Sequence, residues 1–195
     1  RTVTGVQTCA LPISPWYVPG RDLIIKGNKS GNFRVKLLPP SPPSSFLTGL
    51  CSWGYNYDGQ LGNGSTIIDS PYGESTPVQV LWPGGSNFLT GVISLSCGGH
   101  SAICKDDGTA WTWGNNDYGQ LGNGTYISSS TPLQVVGPGG LGFLNDVTEI
   151  SAGGYHSVIN KNDGTVWTWG ANDSGQLGDG TYNNSLTPLQ VLGLS

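Results

Sequence analysis

One phrase occurs three times in this chain, and its spacing limits the folds that the chain can adopt. The copies read CSWGYNYDGQLGNGS (51–65), WTWGNNDYGQLGNGT (111–125) and WTWGANDSGQLGDGT (167–181). The equivalent tryptophans, Trp53, Trp113 and Trp169, are 60 and then 56 residues apart. A period of this length indicates a repeat array, and each unit is long enough for a four-stranded sheet.

The segment before each of the last two phrases predicts further strands. VISLSCGGHSAICKDDGTAWTWG (92–114) parallels VTEISAGGYHSVINKNDGTVWTWG (147–170), and the second copy has one residue more before its histidine. Asp-Gly pairs at 107–108 and 163–164 lie between runs of strand-forming residues and predict hairpins. In the strand that follows, the two tryptophans stand two positions apart and therefore share one face.

The phrase itself has the composition of a compact turn, because glycine adopts a left-handed φ at low cost and asparagine bonds its own backbone. A closing strand follows each phrase, and we expect its proline at the strand's start, where a missing donor does least harm. These runs are TPVQV (76–80), TPLQV (131–135) and TPLQV (187–191). With 32 Gly and 13 Pro but also seven Trp, the composition favours an all-β fold with short strands over disorder.

In this order the motifs resemble the repeat of the regulator of chromosome condensation family. The resemblance covers about residues 49–195 and rests on G-G-H-S or G-G-Y-H-S, the Asp-Gly hairpin, W-T-W-G-x-N and G-Q-L-G-x-G-[ST]. It implies a seven-bladed β-propeller in which each repeat supplies about one four-stranded blade. The chain is then an incomplete propeller of about three four-stranded blades, and we expect a longer parent protein, since seven repeats need on the order of 400 residues.

Three segments are expected along the chain. Residues 1–14 are interpreted as foreign to the protein, because VTGVQTCALPIS (3–14) resembles one reading frame of a common short-read sequencing adapter. Residues 15–45 form an N-terminal segment that ends in a Pro/Ser linker, PPSPPSS (39–45). Residues 46–195 hold the propeller repeats, and the first copy starts in mid-blade because FLTGL (46–50) stands where a hairpin is expected.

Charge excludes one class of partner. Residues 49–195 carry two lysines against eleven aspartates and glutamates, a net charge of −9, so we expect no nucleic-acid binding by the repeats. The chain has no apolar run of 18 residues, and we expect no membrane span. Its cysteines lack zinc-ligand spacing and its Asn-Asp turns lack the carboxylates of a calcium loop, so no metal or other cofactor is predicted.

The pairs His100-Ser101 and His156-Ser157 contain two residue types of a hydrolase triad. They recur at the same point of the repeat, however, and adjacent residues of a strand point to opposite faces. We therefore expect buried, hydrogen-bonded histidines and a protein that is not an enzyme.

The candidate binding residues are those that differ between copies while the letters around them repeat. Three positions of the phrase behave in this way: Tyr55/Asn115/Ala171, Tyr57/Asp117/Asp173 and Asp58/Tyr118/Ser174. Tyrosine and aspartate at such positions suit protein recognition. The residues expected to contact a partner are Tyr55, Tyr57, Asp58, Asn115, Asp117, Tyr118 and Asp173.

The favoured function is a non-enzymatic, protein-binding scaffold whose partner is not identified by the sequence. The family resemblance implies one alternative, a guanine-nucleotide exchange factor that acts on a small GTPase. A second alternative is a secreted or surface module for inhibition or adhesion. The sequence indicates no particular cellular location.

Overall fold

The computed structural model describes residues 34–38, 49–83 and 89–193. Within these ranges the structure has eleven strands and one short 3₁₀ helix. They are β1 (Arg34–Leu38), β2 (Gly49–Tyr55), β3 (Gly73–Gln79), β4 (Val92–Cys97), β5 (His100–Lys105), β6 (Ala110–Gly114), β7 (Ser129–Gln134), η1 (Pro138–Gly140), β8 (Val147–Ala152), β9 (His156–Lys161), β10 (Val166–Gly170) and β11 (Ser185–Gln190). The segments interpreted as adapter (1–14) and linker (39–45) lie outside the described residues, so both interpretations stay predictions.

The strands form three antiparallel sheets in which neighbours in sequence are neighbours in space. The first blade has the order β1-β2-β3, the second β4-β5-β6-β7 and the third β8-β9-β10-β11. The all-β, incomplete propeller is therefore confirmed, with two four-stranded blades and a first blade of three described strands. In that first blade β1 occupies the place of β5 and β9, and Val35 pairs with Ser52 of β2.

The Asp-Gly hairpins form as the sequence predicts. Gly108 and Gly164 have φ of 78° and 83°, which a glycine adopts without strain. The Asp107 and Asp163 carboxylates accept hydrogen bonds from the backbone N–H and hydroxyl of the threonine two residues later. These local bonds fix the turn between β5 and β6 and the turn between β9 and β10.

The prolines of the closing strands lie elsewhere than the sequence predicts. Pro77, Pro132 and Pro188 lie inside β3, β7 and β11 rather than at their starts. The reason is a bulge: Leu133 pairs with Thr112 and Ser129 with Gly114, so β7 carries extra residues between two ladder positions. On an edge strand at a bulge, a missing N–H donor breaks no ladder bond.

Two apolar clusters lie between the blades, and β5 contributes to both because its successive side chains point to opposite faces. Ile103 belongs to the cluster between the first and second blades, whereas Ala102 and Cys104 belong to the cluster between the second and third. Cys51, Cys97 and Cys104 are buried free thiols.

A backbone carbonyl of each of the first two phrases joins its blade to the next one. The Gln60 carbonyl accepts hydrogen bonds from Ser101 Oγ and Trp113 Nε1, both at 2.8 Å. The Gln120 carbonyl accepts the same pair of bonds one blade further on, from Ser157 Oγ and Trp169 Nε1, both at 2.9 Å. We call this arrangement the interblade joint. It assigns the glutamine, serine and second tryptophan of the repeat to blade packing.

A glycine of each of the first two phrases lies against the indole of the joint. A Cβ on Gly122 would lie 2.6 Å from Trp169 Nε1, and one on Gly62 would lie 2.6 Å from Trp113 Nε1. Gly124 has a similar backbone, with φ of 78° against 62° for Gly122, but a Cβ there would meet nothing within 4 Å. Alanine at position 124 therefore measures the cost of backbone strain alone, whereas alanine at position 122 adds the cost of a clash with the indole of the joint.

We expect Gly122→Ala to destabilise the protein clearly more than Gly124→Ala. The left-handed backbone costs about 1 kcal/mol at either position. Overpacking against Trp169 adds about 1–3 kcal/mol at Gly122 alone. Urea unfolding followed by tryptophan fluorescence measures both variants, and equal losses would show that the indole is not held against the phrase.

Candidate functional site

The shared asparagine of each phrase holds the turn in shape. Asn56, Asn116 and Asn172 are fully buried. In each copy its side-chain oxygen accepts a 2.9 Å hydrogen bond from the N–H of the phrase leucine. Its amide group donates to the carbonyl of the Ser or Thr that ends the phrase. The turn is thus closed from inside, and the two residues that follow the asparagine lie on its outer side, where they are exposed or half-buried.

These turns follow β2, β6 and β10, the strands that carry the phrase tryptophan in each blade, and therefore lie at one end of the array. We call this the phrase end, defined by residues 55–60, 115–120 and 171–176. The turns between β4 and β5 and between β8 and β9 reach the same end, since Gln60 Nε2 donates to the Gly99 carbonyl at 3.4 Å. The opposite end carries the Asp-Gly hairpins at 107–108 and 163–164, and we call it the hairpin end.

The structure places the seven candidate residues in three different environments. Tyr57, Asp117, Tyr118 and Asp173 are exposed, and Tyr55 and Asp58 are half-buried. Asn115 is only 8% exposed. Its amide donates to Asp117 Oδ2 at 2.9 Å, and its oxygen accepts a bond from the Gln120 amide. Asn115 thus orients the neighbouring carboxylate, and its own contact with a partner stays a prediction.

The first two phrases bring two carboxylates together. Asp58 Oδ2 accepts a hydrogen bond from Gln60 Nε2 at 3.1 Å. Partial burial raises the pKa of the Asp58 carboxyl, and the negative charge of Asp117 raises it further, while bonds from Gln60 and Asn115 oppose the shift. Asp173 belongs to the third phrase, where its carboxylate accepts a bond from Gln176 Nε2 at 3.1 Å.

Tyrosine rings flank these carboxylates. Tyr55 stacks on Tyr57 with centroids 6.3 Å apart, and Tyr72 meets Tyr57 edge-on at 6.2 Å. Tyr118 of the second blade and Tyr155 of the third are tilted against each other at 4.9 Å. We call the set Tyr55, Tyr57, Asp58, Tyr72, Asn115, Asp117, Tyr118 and Tyr155 the tyrosine–aspartate surface.

Sequence reasoning missed two members of this surface. Tyr155 is the additional residue of G-G-Y-H-S relative to G-G-H-S, so an insertion next to an otherwise repeated motif was a signal that could have found it. Tyr72 lies in the loop between the first phrase and β3, where the copies do not align and the repeat gives no such signal.

The histidine–serine motifs meet across blades rather than within one. His100 Nε2 lies 2.7 Å from Ser157 Oγ, and the Ser157 hydroxyl donates to the Gln120 carbonyl at 2.9 Å. Because that hydroxyl proton goes to the carbonyl, the imidazole acts as the donor, which is the reverse of a nucleophile and its base. Burial, with a smaller contribution from His156, lowers the pKa of His100 to about 3. The expectation of a buried, hydrogen-bonded histidine is confirmed for His100, whereas His156 is half-buried.

Two further findings concern the described residues alone. In ranges 34–38, 49–83 and 89–193, no group of three or more His, Cys, Asp or Glu side chains is placed to hold a metal ion. The same part of the chain contains no helix with the length and apolar character required to cross a membrane.

We expect stability to fall as the pH is lowered from 6.5 to 5, with His100 as one cause. The unfolded histidine takes up a proton near pH 6.5, but the folded one has a pKa of about 3 and stays neutral, so protonation favours the unfolded state. Each such group contributes a slope of about 1.4 kcal/mol per pH unit. His100→Gln keeps a donor for Ser157 and should flatten the pH dependence of urea unfolding by about one proton. An unchanged slope would contradict the assignment.

Antiparallel blades that pack in series through a repeated turn define a tandem-repeat protein of the β-propeller class. The chain belongs to the regulator of chromosome condensation (RCC1) repeat family: the family model matches residues 49–104, 107–159 and 163–195. A second model of the same repeat matches residues 92–120 and 147–176. The resemblance inferred from the motifs is therefore confirmed.

Relatives of known identity share this repeat region. Over 146 residues the chain is 36% identical to the human E3 ubiquitin-protein ligase HERC2, a match that covers 73% of this chain and 3% of HERC2. Over 144 residues it is 33% identical to the ultraviolet-B receptor UVR8 of Arabidopsis thaliana, covering 73% of this chain and 30% of UVR8.

A solved structure shows the same fold. The chain is similar to Prp20p from Saccharomyces cerevisiae, with a TM-score of 0.64 and 21% identity over 82% of this chain and 36% of Prp20p. The chain thus spans about a third or less of the length of each of these three proteins.

Proposed function

We propose that the chain is part of a non-enzymatic, protein-binding scaffold that contacts its partner through the tyrosine–aspartate surface. One observation carries this proposal: in the phrase, residues that repeat and residues that differ between copies have different structural roles. The asparagine and leucine that all copies share are buried, and the shared glutamine of the first two copies lies in an interblade joint. Tyr57, Asp117 and Tyr118, at positions that differ between copies, are exposed at the phrase end. Exposed tyrosine is typical of recognition surfaces.

The family relationship supports the same class of function. RCC1 repeats occur in an E3 ubiquitin-protein ligase, in an ultraviolet-B receptor and in Prp20p, whose structure is described together with its binding to Gsp1p and histones. Proteins with such different roles share the repeat as an interaction or regulatory module. The Ser157 hydroxyl, which contacts His100, donates to the Gln120 carbonyl, so this histidine–serine contact does not have the geometry of a nucleophile with its base.

Site-specific photo-crosslinking tests the proposal. A benzophenone amino acid in place of Tyr57 or Tyr118 should yield a discrete protein adduct in an extract of cells that express the chain. The matched control is the same amino acid in place of Leu141, which is 82% exposed on the segment after β7. Adduct formation at 57 and 118 but not at 141 is the expected result, because only the first two positions lie on the surface.

Equal labelling from all three positions, or none from 57 and 118, would contradict the proposal. The adduct also tests the alternative functions. A small GTPase that is captured in only one nucleotide state, and whose nucleotide release is accelerated by the full chain, would favour the exchange factor. An extracellular enzyme or surface protein in the adduct would favour the inhibitor or adhesion module.

A further inference from the structure

Positive charge is confined to one end of the repeats. In residues 49–83 and 89–193 the chain has two lysines, Lys105 and Lys161, and both end the strand that enters an Asp-Gly hairpin. The phrase end carries Asp58, Asp117 and Asp173 in its turns. The hairpin end also carries carboxylates, those of Asp106, Asp107 and Asp163, so the two ends differ in that only the hairpin end has lysines among its charged groups.

At the hairpin end the lysines are held by aromatic rings and a carboxylate. Lys105 Nζ lies 5.0 Å from the ring centroid of Trp82 and 2.7 Å from Asp107 Oδ2. Lys161 Nζ lies 6.0 Å from the ring centroid of Trp167. An aromatic face together with a carboxylate forms a binding site for a cation, and at the hairpin end a lysine of the chain itself is that cation.

The phrase end also has carboxylates beside exposed aromatic rings. The Asn115 amide donates to Asp117 Oδ2 at 2.9 Å. A hydrogen bond from Asn115 also acts on the Asp58 carboxyl, so the two carboxylates lie beside the same amide. The exposed fractions of Tyr57, Tyr72, Tyr118 and Tyr155 are 46%, 43%, 39% and 54%. The ring pair Tyr118–Tyr155 spans the boundary between the second and third blades, next to the turn that holds Asp117. Neither lysine of the repeats lies at this end.

We propose that the tyrosine–aspartate surface binds an arginine-bearing segment of a partner protein, with a guanidinium group between Asp58 and Asp117 and a second against the Tyr118–Tyr155 rings. Arginine fits better than lysine, because its planar group bonds carboxylates in two places and stacks on aromatic faces. The net charge of −9 over residues 49–195 attracts such a segment from a distance. This inference rests on the scaffold proposed above and names the chemistry of its partner.

A labelled peptide of alternating arginine and glycine tests the proposal by fluorescence anisotropy with the full 195-residue chain. We expect saturable binding that weakens as salt is added. A peptide with citrulline in place of arginine keeps the shape but not the charge, and should bind at least about tenfold more weakly. A lysine peptide of the same charge should bind several-fold more weakly, since it lacks the planar group.

Paired variants locate the site. Asp58→Asn with Asp117→Asn removes two charges at the phrase end and keeps acceptors for Gln60 and Asn115, and should weaken arginine-peptide binding about tenfold or more. The matched control, Asp106→Asn with Asp163→Asn, removes two charges from exposed positions at the hairpin end and should change binding less than twofold. If the double aspartate variant is too unstable to assay, the single variant Asp117→Asn, at an exposed position, should also weaken binding of the arginine peptide.

The tyrosine ring is tested separately. Tyr118→Phe should retain binding and Tyr118→Leu should lose it, because the guanidinium contacts the face of the ring.

Several results would overturn the inference: no binding of the arginine peptide, equal binding of the citrulline peptide, or equal weakening by both pairs of variants. The last would show attraction to net charge alone. If the peptide fails to bind while positions 57 and 118 still crosslink a protein, the scaffold stands and its partner is not basic at this surface. If both experiments fail, the scaffold is wrong as well.

Discussion

The interblade joint is the interaction on which the rest of this structure depends. A single carbonyl, of Gln60 or Gln120, accepts hydrogen bonds from a serine hydroxyl and an indole N–H of the following blade. Each donor and acceptor is buried, so each would lose free energy if left without its partner. Among the described strands, no ladder of hydrogen bonds joins one blade to another. The joint, together with single backbone bonds such as that from the Gly64 N–H to the Ser130 carbonyl at 2.9 Å, therefore sets the spacing of the blades, while the apolar clusters fill the space between them.

The joint explains why the phrase is repeated so strictly. In the first two copies its glutamine supplies the carbonyl and its third glycine leaves room for the indole. Its leucine is fully buried in all three copies. Trp113 and Trp169, which meet a preceding phrase, are 2% and 0% exposed, whereas Trp53 is half-buried. What the joint does not fix are the residues that project from the turn between the asparagine and the glutamine. Recognition can vary there without a loss of packing, and this is where the proposed partner contacts lie.

Much of the fold can be predicted from the sequence, because the three copies of the repeat can be aligned with one another. The period predicts the blades, and the Asp-Gly pairs predict the hairpins. The closing prolines were misplaced because a bulge is a property of two paired strands and leaves no mark on one strand alone. The joint was not predicted for a related reason. It forms between groups of neighbouring repeats, as does the contact between His100 and Ser157, so the sequence of a single repeat predicts neither contact.

For the candidate surface, comparison of the copies identified Tyr57, Asp117 and Tyr118, but only the packing of the third blade on the second brings Tyr155 to Tyr118. The same comparison also selected Asn115, which the fold turns inward to bind Asp117.

Hydrogen exchange of the tryptophan indoles, measured by NMR on the full chain, tests the joint most directly. The account predicts that the Nε1–H groups of Trp113 and Trp169 exchange slowly and at rates close to global unfolding. The Nε1–H groups of Trp111 and Trp167 donate to threonine hydroxyls at the hairpin end, where both indoles are half-buried, and should exchange much faster. Exchange of all four indoles at similar rates would contradict the joint as the element that holds the blades together.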